Sequence, residues 1–110
     1  MRRPSIALLM ALSLGMAVGS AQTVCAEPAV HTVTIDSMQY SPPTLTVKVG
    51  ETVVWVNRDP FPHTVTAQTG DFDSKGIAPG ESWQFKPTKK GNFPYFCRFH
   101  PTMKGTLRVE

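Results

Sequence analysis

The chain has almost no cysteine, no apolar run of membrane-spanning length and no sustained helical period, and each absence excludes something. Its longest apolar run, Ile6 to Val18, falls short of the roughly 20 residues a spanning helix needs and is interrupted by Gly15, with Gly19 just beyond. Arg2 and Arg3 precede the run and "VCAEP" follows it. That order is a positive n-region, an apolar h-region and a cleavage site after Ala26, with Val24 and Ala26 at the −3 and −1 positions. Residues 1–26 are therefore read as a secretory signal peptide and 27–110 as one domain, placed in the periplasm with no stable membrane insertion. A membrane anchor and cleavage after Ala21 are the alternatives.

Losing the leader removes Cys25 and leaves Cys97 alone. An exported domain with one cysteine has no internal disulfide, so Cys97 is a free thiol or a ligand. The leader also takes Arg2 and Arg3 out of the 11 basic residues, which reduces the net charge of +3 to +1 against the same 8 acidic groups. With that, the case for nucleic acid binding disappears. A domain this small buries a modest share of its surface, so a bound metal adds useful stability.

What is present is β pattern. "VHTVTID" (30–36), "TLTVKVG" (44–50), "TVVWVN" (52–57), "HTVTA" (63–67), "SWQFK" (82–86), "NFPYFC" (92–97) and "KGTLRVE" (104–110) are short, alternating or β-branched, and separated by Gly/Pro turns. They predict an all-β fold, a Greek-key β-sandwich of about seven to eight strands, with 68–80 as the one longer irregular connection. His31 is expected on the solvated face of its strand, Met38 as a core plug, and Trp55 and Trp83 in or half in the core. Lys86, Lys89 and Lys90 read as a solvated turn.

Chemistry gathers in "YFCRFHPTMKG" (95–105), where Cys97, His100 and Met103 stand three residues apart. Alternation turns Phe93, Tyr95 and Cys97 inward, and the loop after Cys97 brings His100 and Met103 back towards it. His63, after the Pro-rich corner "DPFP", is the obvious fourth ligand. Singly, each has a plainer reading: a buried small hydrophobe, a turn histidine, a core methionine, a strand-edge polar residue. Together they discriminate between metals. Structural zinc has little use for a thioether, and calcium and magnesium want oxygen. Two imidazoles, a thiolate and a weak axial thioether suit one type 1 copper ion in both oxidation states.

At this point the sequence resembles the cupredoxins, the small blue copper electron carriers. The resemblance rests on "YSPPTLTVKVGETVVWVNRDPFPHTV" (40–65), "DFDSKGIAPGESWQF" (71–85) and "GNFPYFCRFHPTMKGTLRVE" (91–110). It implies His63, Cys97, His100 and Met103 as the copper ligands. The short ligand loop is most similar to that of amicyanin-like carriers; plastocyanin-like carriers have longer ones. Two departures stand out. Thr64 follows the first histidine where Asn is usual, which puts the side-chain tether between the two ligand loops in question. Arg98-Phe99 replaces Thr-Pro, so partner identity is not inherited.

The implied function is shuttling of single electrons between redox partner proteins, such as a dehydrogenase or a c-type cytochrome. Docking is expected near His100, on an apolar patch of Phe61, Pro62, Phe99 and Pro101, with the carrier itself a monomer and not an enzyme. Further absences support this. Copper oxidases and nitrite reductases place histidines beside the cysteine, whereas Cys97 has Phe96 and Arg98; a binuclear site needs a second loop cysteine. The serious alternative, a periplasmic copper-binding or delivery protein, usually carries Met- or His-rich tracts, which the domain lacks.

Overall fold

The computed structural model describes residues 28–110, together with Gly15 and Gly19. The expected leader lies outside the described residues, apart from those two glycines. Eight strands follow in chain order: β1 (Val30–Asp36), β2 (Gln39–Ser41), β3 (Thr44–Val47), β4 (Thr52–Asn57), β5 (Thr66–Ala67), β6 (Ser82–Phe85), β7 (Gly91–Phe96) and β8 (Lys104–Val109). They form two four-stranded sheets, β2-β1-β4-β6 and β3-β8-β7-β5. Most pairings are antiparallel; β1 with β4 and β3 with β8 are parallel. The all-β sandwich expected from the sequence is what forms. Among the described residues no helix is long and apolar enough to cross a membrane.

The core lies between the sheets. Val33, Ile35, Val53 and Trp55 face Val47, Phe93, Tyr95 and Leu107, all buried. Trp55 packs edge-on against Tyr95 with ring centroids 5.7 Å apart, and Tyr95 meets Tyr40 the same way at 4.7 Å. Tyr95 also pairs directly across from Gly105, and a Cβ there would land on the Tyr95 ring. Only glycine lets the ring lie flat on β8. The irregular connection plugs one side with buried Phe72 and Ile77.

Four expectations need correction. The strand expected over 63–67 shrinks to Thr66–Ala67, with His63 making only a single bridge to Ile77. The cause is competition for donors: the Thr64 and Val65 N–H groups go to Cys97 Sγ and Ser74 Oγ, so no ladder remains to them. β2 has no counterpart among the expected strands. It follows a two-residue turn in which Ser37 and Met38 both have positive φ, 53° and 60°, without the Asn-Gly signal such turns usually carry. Met38 therefore stands half-buried on a turn and does not plug the core. His31 shares the parity of Val33 and Ile35, since strand side chains alternate with period two; it is partly buried, with Nε2 3.3 Å from Glu51 Oε1.

Candidate metal centre

Cys97 follows the last residue of β7 and is fully buried. The spacing of three that marks the loop has a backbone explanation. His100 N–H donates to Cys97 O at 3.2 Å and Met103 N–H to His100 O at 2.8 Å, which makes two consecutive four-residue turns. Cys97 N–H then donates to Met103 O at 3.1 Å and closes the loop. Each putting-back of the chain brings the next ligand residue beside the last. The other arm comes from Asn57, wholly buried at the end of β4. Its Nδ2 donates to Phe61 O and Ile77 O, at 2.8 and 2.9 Å, and its Oδ1 accepts from Asp59 N–H at 3.0 Å. Those bonds fold "RDPFP" so that His63 enters the sandwich end.

The structure brings three of the four expected ligands to one point. Cys97 Sγ lies 3.6 Å from His63 Nδ1 and 3.9 Å from His100 Nδ1, and the three donor atoms fall within 4.8 Å of one another. A metal held at about 2.0 Å from nitrogen and about 2.3 Å from sulfur, in a trigonal arrangement, separates N and S by about 3.7 Å. The observed spacings match. Met103 is buried at the end of the same loop. His63 and Cys97 are fully enclosed, whereas His100 is only half-buried.

Sequence reasoning missed the residue that orients His63. Asp59 is buried; its Oδ2 lies 2.7 Å from His63 Nε2 and accepts from Met38 N–H at 2.9 Å, while Oδ1 accepts from Ser37 N–H at 2.7 Å. A carboxylate only accepts, so Nε2 carries the proton and Nδ1 keeps its lone pair for a metal. Burial pushes the Asp59 carboxyl up, but the bonds from Met38, His63 and Ser37 outweigh it and hold the group below the ordinary carboxylate range. A carboxylate four residues ahead of the histidine was the available signal.

The tether questioned at Thr64 exists in another form. Thr64 N–H donates to Cys97 Sγ at 3.4 Å, and Thr64 Oγ1 accepts from Arg98 N–H at 2.8 Å. A hydroxyl thus joins the two ligand loops. It continues to Thr66 Oγ1 at 3.0 Å, which donates to Asp73 Oδ1 at 3.2 Å, and Arg98 Nη2 returns to Asp73 Oδ2 at 3.1 Å. Because Asp73 can only accept, Thr66 must donate to it and Thr64 to Thr66, which leaves a Thr64 lone pair for Arg98 N–H.

The four residues expected to form an apolar patch near His100 are all exposed, Phe61 and Phe99 to 54% and 53%, together with Pro62 and Pro101.

Comparison with known proteins agrees with this geometry. Residues 6–109 match the family model for the cupredoxin-like domain. The amicyanin of Paracoccus versutus is 32% identical, over 98% of this chain and 95% of the relative. The plastocyanin of Scenedesmus fuscus is 34% identical, over 67% of this chain and 89% of its own. Among solved structures, a reduced Cu(I) form of an amicyanin mutant at pH 4 superposes with TM-score 0.68 at 32% identity, covering 74% of this chain and 82% of that one. A copper-containing nitrite reductase from Thermus scotoductus SA-01 superposes at 0.71 with 31% identity, but this chain spans only 23% of it. One type 1 copper ion is the cofactor that this family and this donor cluster together imply. Matched along nearly its whole length by sequence and through its described part by fold, the chain belongs to the cupredoxin-like family.

Proposed function

We propose that this protein is an exported carrier of single electrons, holding one type 1 copper ion on His63, Cys97, His100 and Met103 and working in the periplasm. The observation that carries the proposal is the convergence of Cys97 Sγ with the two Nδ1 atoms at one end of the sandwich. Bound there, copper supplies a one-electron couple. The protein supplies a cradle that hardly changes shape: Asp59 fixes the His63 ring, the closed loop fixes His100 and Met103, and the Thr64 N–H lies against the Cys97 sulfur. Little rearrangement between oxidation states means fast transfer, and the hydrogen bond to sulfur helps to set the potential.

The half-exposed His100 offers the electron a way in and out, and Phe61, Pro62, Phe99 and Pro101 give a redox partner a small apolar surface for brief docking. A dehydrogenase or a c-type cytochrome fits that role. The similarity to amicyanin and plastocyanin supports a carrier and not an enzyme. Loading with copper tests the proposal: the protein turns intensely blue and bleaches reversibly with reductant, and Cys97→Ser abolishes the colour. A serine variant that stays blue overturns the assignment.

A further inference from the structure

We propose that a groove beside the metal centre is a landing site for Cu(I), with Met38 as its outer donor and Met103 as its inner one; this rests on the copper reading of His63, Cys97 and His100. Among the described residues Met38 and Met103 are the only methionines. Far apart in sequence, both line one groove of about 390 Å³, with Tyr40, Thr102 and Lys104 along its sides. Met103 is 5% exposed and forms the inner wall; its backbone is bonded to Cys97 and His100. Met38 is half-buried at the outer rim.

Backbone preference does not account for methionine at position 38. Its φ of 60° lies where residues other than Gly, Asn and Asp are uncommon, and Asn or Gly would form this turn more readily. The conformation is held by Asp59, which accepts from Ser37 and Met38 N–H while contacting His63. The same carboxylate therefore anchors the base of the Met38 side chain against the loop that carries a ligand.

A soft ligand does account for it. Thioether sulfur is neutral and soft and selects Cu(I) over hard divalent cations. The groove lining contains no carboxylate and includes exposed Lys104, so hard cations gain nothing there and a monovalent ion is held only weakly, as suits passage. Met38 receives the ion and Met103 takes it inward. Cys97 then exchanges its thiol proton, released to solvent, for the metal. Copper stays Cu(I) throughout, and no electron is transferred.

The chain without its leader (residues 27–110), free of metal, is titrated with Ag(I) as a closed-shell stand-in for Cu(I), following the Met38 and Met103 methyl signals by NMR. Both methyl groups shift. When Hg(II) already fills the site at Cys97, the Met38 methyl still responds to Ag(I). In stopped flow, Met38→Leu takes up Cu(I) roughly tenfold more slowly, as loss of about 1.4 kcal/mol of soft-donor contact implies, yet reaches the same final blue absorption after oxidation. An unmoved Met38 methyl, or equal uptake rates, overturns the landing site while leaving the copper centre intact. Failure of the wild-type chain to bind copper at Cys97 overturns the reading beneath it.

Discussion

Replacing Asp59 by Asn tests how the protein prepares His63. Three donors converge on this buried carboxylate: Ser37 N–H on Oδ1, and Met38 N–H and His63 Nε2–H on Oδ2. An amide has one acceptor oxygen, and both of its orientations are costly. With oxygen towards His63, the NH₂ faces Ser37 N–H, donor against donor; one donor left unsatisfied costs about 1–3 kcal/mol, and the two retained bonds lose their charge assistance. With NH₂ towards His63, the amide donates to Nε2 and moves the ring proton to Nδ1, the atom that faces Cys97 Sγ. The expected outcome is a stability loss of about 2–3 kcal/mol in the metal-free protein. Copper affinity falls by about 10–100-fold, the usual effect of removing a partner that orients a ligand. Urea unfolding measures the first and competition titration with a chelator the second. A stability loss below about 0.5 kcal/mol, typical of surface changes, together with unaltered copper affinity would refute the orienting role.

Thr64→Val removes the hydroxyl but keeps the backbone N–H on Cys97; it should cost about 1–2 kcal/mol and speed hydrogen exchange at Arg98, with no change in exchange at Arg98 as the result against it. Gly105→Ala drives a methyl group into the Tyr95 ring and should cost about 1–3 kcal/mol as overpacking does, read as a lower urea midpoint with an unchanged slope. Acid should destabilise the fold in a defined window. Asp73 is held below the ordinary carboxylate range chiefly by the Lys75 N–H, with burial opposing and Arg98 and Thr66 adding to it, and Asp71 likewise by Lys89 and Thr69. A carboxylate with a lowered folded pKa contributes stability above its unfolded value, about 3.9, and loses it as pH falls through the folded value. Unfolding free energy should thus be level near neutral pH and drop below about pH 4, whereas a decline beginning above pH 6 would point to other groups.

Much of the site was legible because its chemistry is local. Cys97, His100 and Met103 are joined by i to i+3 backbone bonds, so their spacing in sequence is their spacing in the loop. The inward turn of Phe93, Tyr95 and Cys97 follows from strand alternation alone. The supporting residues were not legible for the opposite reason. Asp59 is held in place by Ser37 and Met38 on a distant hairpin, and Asp73 by Thr66 and Arg98 on two other segments. Neither partnership leaves a period or motif in the chain. β2 escaped because its turn uses Ser-Met at positive φ, held from outside by a carboxylate instead of by its own residue types.

The position of β8 has a consequence for how the molecule comes into being. It is an interior strand, flanked by β3 on one side and β7 on the other. A chain made from its N-terminus therefore cannot complete the second sheet until residues 104–109 are free of the synthetic machinery, since among the described residues β3 pairs with β8 alone. Such wide separation of partners also slows folding. The ligand loop lies immediately upstream of that strand, so the full donor set, His63 included, comes together only once β8 has docked.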